Sequence, residues 1–318
     1  MPTADSAAMT LPAPSGVLSV VQTPFDDSGD IDESALRHEI DWAFECGVDG
    51  LTVAMVSEIL RLDLAERHEL AAIVCDAASG RGPVVVSVGA ESTRAAVRLA
   101  EHAARVGASA VMAIPPLSAS LGSADLESYY LSILEATPLP LVVQDASAYV
   151  GGALPVGLFA RLHEHDPDRV CFKPEAVPLG PRLSELLDAT GGRAKAYDGS
   201  GGIALIDTFR RGIVGTMPST DLCWAIVRLW EHLEAGDLDS AYRLSQPLVA
   251  LVAMQTSLDT YVAIEKYLLV RQGILRNGAC RQPSGYHLDE LTTRQIDAYL
   301  ALLCAAVEER PASSSAPR

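Results

Sequence analysis

Lys173 and Glu175, in the run Val170-Cys-Phe-Lys-Pro-Glu-Ala176, are the residues whose types and spacing point most directly to covalent chemistry. Lysine is scarce here: among 24 Lys and Arg, only Lys173, Lys195 and Lys266 are lysines, so arginine serves wherever positive charge alone is wanted. Arginine keeps its proton, whereas a desolvated lysine amine can lose it near neutral pH and attack a carbonyl carbon. A carboxylate two residues further on shares a face with that amine if the strand continues past Pro174, and it can then move protons. Taken alone, the same residues also fit a surface lysine and a solvated loop carboxylate at a strand end.

The elements that would hold them alternate. Apolar β-like runs at Val17–Gln22, Gly50–Met55, Pro83–Val88, Ala110–Ile114, Pro140–Val143, the Lys173 run, Arg193–Tyr197 and Ile213–Met217 make eight strand candidates. Between them lie stretches of helical spacing, at 32–46, 64–78, 92–106, 124–136, 156–165 and 203–211. Eight βα units predict a (β/α)8 TIM barrel of the α/β class over residues 16–222, whose active site belongs at the C-terminal ends of the strands. After Asp221 the pattern is wholly helical to about Glu309, which predicts the eighth helix plus a C-terminal extension over 223–310. Residues 1–15 and 311–318, rich in Ala, Pro and Ser without periodicity, read as disordered tails.

The residues just after each strand define the rim. They are Thr23-Pro24, Ser57-Glu58, Gly89, Pro115-Pro116, Gln144-Asp145, Lys173 with Glu175, Asp198-Gly199-Ser200 and Pro218-Ser219-Thr220. One amine among carboxylates and hydroxyls suits Schiff-base chemistry on a 2-oxo acid. With neither histidine nor cysteine, the rim argues against a metal centre or a Cys/His nucleophile. Gly199-Ser-Gly-Gly202 lacks the Lys-Ser/Thr of a nucleotide-binding loop and reads as a tight turn opening a helix. A net charge of −17 argues against nucleic acid or an anionic membrane as partner. Six scattered cysteines, no signal peptide and no apolar run of membrane-spanning length suggest a cytoplasmic protein with reduced thiols.

Thr23-Pro24-Phe25, Val56-Ser57-Glu58 with Leu62 and Glu66-Arg67, and Phe172-Lys173 together resemble the dihydrodipicolinate synthase and N-acetylneuraminate lyase superfamily, over residues 17–300 or so. The resemblance implies a barrel assembled as a homotetramer, with Lys173 as the Schiff-base lysine and no metal or organic cofactor. Two departures stand out. Most members carry Tyr-Asn-x-Pro after the fifth strand, where this chain has Gln144-Asp145-Ala146, and a tyrosine often found after the fourth strand is replaced by Leu117. The usual tyrosine relay is absent, which counts against dihydrodipicolinate synthase and ordinary lyase activity.

The Gln-Asp-Ala and Phe-Lys-x-Glu segments look most similar to the 2-keto-3-deoxy-L-arabinonate dehydratase branch. That resemblance implies Glu175 as the proton carrier, Ser57 and neighbouring amides on the substrate carboxylate, and Gln144 on its hydroxyl or carboxylate end. Thr23, Glu58, Asp145 and Ser200 complete the expected substrate contacts, with selectivity at Ser118, Tyr149, Thr216 and Ser219. The alternatives are a pyruvate-dependent aldolase and a silent keto-acid-binding barrel. Lys195 and Lys266 read as ordinary charges on a strand and a helix, Lys195 with some prospect of lying near the site.

Overall fold

The computed structural model describes residues 12–308. Eight parallel strands close into a barrel in sequence order, β1-β2-β3-β4-β5-β6-β7-β8. They are β1 (Gly16–Val20), β2 (Gly50–Val53), β3 (Val84–Ser87), β4 (Ala110–Ala113), β5 (Leu141–Asp145), β6 (Val170–Pro174), β7 (Lys195–Asp198) and β8 (Gly215–Thr216). The helices are α1 (Glu33–Glu45), α2 (Leu64–Ala77), α3 (Thr93–Arg105), α4 (Ser123–Glu135), α5 (Val156–His165), α6 (Leu179–Ala189), α7 (Leu205–Arg211) and α8 (Cys223–Glu234), followed by α9 (Leu238–Val252), α10 (Leu258–Arg271) and α11 (Glu290–Glu308).

The two-residue period of the strands sorts the core into two layers. Leu18, Val20, Val85, Met112, Val142, Cys171, Tyr197 and Met217 fill the barrel interior. Their neighbours Val17, Leu51, Val86, Val111, Val143 and Phe172 face outward and pack with the helices. Side-chain caps set several helix starts: Asp32 accepts from Ala35 N, Asp63 from Glu66 N and Ser92 from Ala95 N.

Three boundaries differ from the sequence reading. The helix after β6 had no named counterpart, because Gly180 and Pro181 stand in its first turn; proline is tolerated there, and Leu183 and Leu186 bury the inner face. The C-terminal region is not helical throughout: residues 273–289, with Gly273, Gly278, Pro283 and Gly285, form an irregular segment between α10 and α11. At the other end, residues 12–15 of the expected tail are placed, and the Pro14 carbonyl accepts from the Tyr197 hydroxyl inside the barrel at 2.6 Å. The remaining tail expectations, 1–11 and 311–318, lie outside the described residues.

Candidate active site

Lys173 and Gln144 are register partners on β6 and β5, and the inward parity of Cys171 and Val142 carries both toward the barrel axis. Pro174 ends the strand and the chain then brings Glu175 back beside the amine. Lys173 Nζ lies 3.2 Å from Glu175 Oε1, both residues being buried, and Gln144 Nε2 donates to Glu175 Oε2 at 2.8 Å. Burial raises the Glu175 carboxyl above its ordinary range, against the opposing pull of Lys173 and Gln144. A carboxylate so placed can accept a proton from the amine or from a carbon attached to it.

This arrangement requires glycine at position 199. A Cβ there would fall 2.1 Å from Glu175 Oε1 and 2.5 Å from Lys173 Cε. The side chains surround a cavity whose wall includes Met55, Val56, Gln144, Tyr149, Lys173, Glu175, Ser219, Asp221, Tyr261 and Glu265. Leu258, Tyr261 and Glu265, at helical spacing on α10, close it over the barrel mouth. Tyr149 donates to the Gly199 carbonyl at 2.9 Å and meets the Tyr261 ring edge-on, 5.3 Å between centroids. Burial pushes the Tyr149 hydroxyl well above its usual pKa and that of Tyr261 up to about 12.

The other expected contacts have different partners. The Ser57 hydroxyl donates to Val21 O at 2.5 Å and accepts from Ala54 N at 3.1 Å, so it shapes the turn Met55–Ser57. Met55 and Val56, whose amides open that turn, are the residues that reach the cavity. The Thr23 hydroxyl donates to Ser57 O at 2.6 Å. Glu58, in the left-handed conformation at φ 60°, pairs with Lys266 and accepts from Arg281 N at 2.7 Å. Asp145 has the outward parity of β5, and its oxygens accept from Ser147 N and Leu154 N, both at 3.1 Å. Ser200 accepts from Ala204 N at 2.9 Å while donating to Asp198, and it lines an outer vestibule with Val177 and Ile203. Thus Thr23, Ser57, Glu58 and Asp145 support the wall, and Gln144, Lys173 and Glu175 face the cavity.

The remaining lysines also separate. Lys195 is at the opposite end of its strand, with Nζ 3.4 Å from Asp168 O. Lys266 is fully buried, contrary to its reading as an ordinary helix charge; it donates to Glu58, to Thr23 O at 2.7 Å and to Ala279 O at 2.6 Å. Sequence reasoning also passed over Tyr261, Asp221 and Glu265 as wall residues. The i, i+4 spacing of Tyr261 and Glu265, which puts both on one face of α10, was the available signal. Among the described residues no group of His, Cys, Asp and Glu side chains forms a candidate metal site, and no helix is long and apolar enough to cross a membrane.

The model of the dihydrodipicolinate synthetase family matches residues 13–300. The chain belongs to that family. Among its curated relatives, L-2-keto-3-deoxyarabonate dehydratase of Azospirillum brasilense is 28% identical over 273 residues, covering 84% of this chain and 88% of the relative. The Escherichia coli K12 protein named "Probable 2-dehydro-3-deoxy-D-pentonate aldolase" is 27% identical over 277 residues, 85% of this chain and 91% of its own. In structure, dihydrodipicolinate synthase from Rhodopseudomonas palustris superposes with a TM-score of 0.82 at 26% identity, covering 91% of this chain and 97% of that one. This family membership places the chain among lyases.

Proposed function

We propose that the protein is a Schiff-base dehydratase of a 2-keto-3-deoxy sugar acid, with 2-keto-3-deoxy-L-arabinonate as the reference substrate. The observation that carries this reading is the buried triad at the strand ends: Lys173 3.2 Å from Glu175, whose other oxygen is held by Gln144. Glu175 takes a proton from the Lys173 ammonium, and the free amine condenses with the substrate ketone, releasing water. The iminium acidifies C3. Having returned its first proton to the hydroxyl lost in that condensation, Glu175 removes a C3 proton and passes it to the C4 hydroxyl, which departs as water. Loss of a C5 proton and protonation at C3 then turn the unsaturated iminium into the C4–C5 enol, which becomes the aldehyde, and hydrolysis of the iminium frees Lys173 and yields 2-oxoglutarate semialdehyde. Gln144 fixes Glu175 through one hydrogen bond and keeps its own Oε1 for the substrate, since that buried atom makes no bond within the protein. The substrate carboxylate rests against the Met55–Ser57 turn.

The similarity to the Azospirillum dehydratase supports the same reaction class, and the replacement of the tyrosine relay by Gln144 fits a mechanism run through Glu175. An aldolase is the second reading. It is favoured by the Escherichia coli relative and by Tyr149, a hydroxyl on the same wall as Lys173. We further propose a cytoplasmic homo-oligomer, a tetramer, that needs no metal or organic cofactor.

Product analysis separates the two reactions. Incubation with 2-keto-3-deoxy-L-arabinonate should accumulate 2-oxoglutarate semialdehyde without free pyruvate. Pyruvate and glycolaldehyde in equal amounts would make the protein an aldolase.

A further inference from the structure

We propose that Ser219, Asp221 and Glu265 form a subsite for the hydroxyl-bearing, uncharged end of the substrate, so that the enzyme takes 2-oxo acids with one carboxylate and rejects those with a second anionic group. The inference rests on the Schiff-base reading, because it concerns the far end of a molecule held at Lys173.

The acceptors on this wall exceed its donors. Asp221 and Glu265 both line the cavity and are 2% exposed. Asp221 Oδ2 is buried and makes no hydrogen bond, as is Gln144 Oε1 on the same cavity. The Gln22 amide is shared between Glu265 Oε2 at 2.7 Å and Ser219 Oγ at 3.3 Å, which orients both toward the same region. Behind them Glu39 accepts from Gln22 N at 2.8 Å and from the Thr220 hydroxyl, adding a third carboxyl to the electrostatics.

Buried acceptors without donors cost free energy that a ligand O–H can recover. An anionic group would do the reverse. Among the described residues Lys173 is the only cationic side chain on the cavity wall, and it is committed to the ketone, so a terminal carboxylate or phosphate would meet carboxyl groups with no arginine of those residues to neutralise it. Burial raises Asp221 to about 7 and Glu265 well above its usual range, so the penalty on an anionic guest grows as pH rises through 7 and Asp221 ionises.

Three acids that differ only at C5 test this: 2-oxopentanoate, 5-hydroxy-2-oxopentanoate and 2-oxoglutarate, each trapped on the wild-type protein with borohydride over a concentration series, with pyruvate as the reference. The hydroxy acid should half-saturate trapping at a concentration about tenfold below 2-oxoglutarate and about fivefold below 2-oxopentanoate, the range expected when one or two buried acceptors gain or miss a partner. Asp221→Asn supplies an amide donor and should narrow the gap between the hydroxy acid and 2-oxoglutarate; Glu265→Gln should do so independently. Equal or better trapping of 2-oxoglutarate by the wild type would overturn the subsite, as would trapping of pyruvate with none of the three. Failure to trap pyruvate itself would instead remove the Schiff-base reading, and the subsite with it.

Discussion

Lys173 and Lys266 are both buried lysines paired with a carboxylate near the same end of one barrel, yet their surroundings differ. An ammonium has three protons to donate. Lys266 places all three, on Glu58, Thr23 O and Ala279 O, and rests 4.5 Å from the centre of the Phe25 ring. Its partner is equally occupied, because Glu58 also accepts from Arg281 N. Lys173 has Glu175 as its one polar partner among the described residues, and it opens onto a cavity. The saturated pair joins α10 and the irregular 273–289 segment to the turn after β2, whereas the unsaturated pair has coordination left for a substrate. Spare hydrogen-bonding capacity beside a cavity, rather than burial or charge, distinguishes the amine we propose as reactive from the structural one.

Glu175→Gln tests that distinction with the largest expected effect. The variant keeps the shape of the triad but cannot accept a proton, so turnover of the keto-deoxy acid should fall about 10²–10⁴-fold. An unchanged rate would move the proton work to another group, with the Tyr149 hydroxyl a candidate on the same wall.

Lys266→Met comes next. Leaving Glu58 buried without its cation should lower stability by about 3–5 kcal/mol, read from chemical denaturation, while pyruvate is still trapped on Lys173 below the melting temperature. Lost trapping with unchanged stability would put Lys266 in the chemistry and erase the contrast.

A smaller effect concerns the carboxyl cluster behind the wall. Burial raises Glu39 from 4.5 to about 7 in the folded protein. The folded state therefore holds a proton that the unfolded chain releases, so this contribution to stability is full below pH 4.5 and is lost as pH rises through about 7. Asp221, also near 7, acts in the same direction. Melting temperature should decline between pH 5 and pH 8, and Glu39→Gln, uncharged throughout, should flatten that decline. An identical pH profile in the variant would show that Glu39 is ionised in the fold.

The placement of Lys173, Glu175 and Gln144 at strand ends was legible from sequence because those ends are marked by where β-branched runs stop, and because one of three lysines among many arginines is conspicuous. Asp145 was misplaced for a reason of parity: β5 runs two residues further than its apolar stretch, so a side chain taken for rim is turned outward to hold Leu154 N. Lys266 and Glu58 lie 208 residues apart, and no local pattern pairs them. Gly199 was visible only as part of a turn; its function, making room for Glu175, depends on two strands meeting in space. Local periodicity thus reported which elements exist and which way their faces point, while the division into saturated and open sites came from contacts distant in sequence.

The most direct test of the central claim is peptide mapping of the protein after borohydride reduction in the presence of pyruvate. A single adduct on the peptide carrying Lys173, with Lys266 and Lys195 unmodified and no labelling in Lys173→Arg, is the result expected of the one lysine that is buried, unsaturated and open to a cavity. Labelling of Lys266 or Lys195, or undiminished labelling in Lys173→Arg, would contradict it.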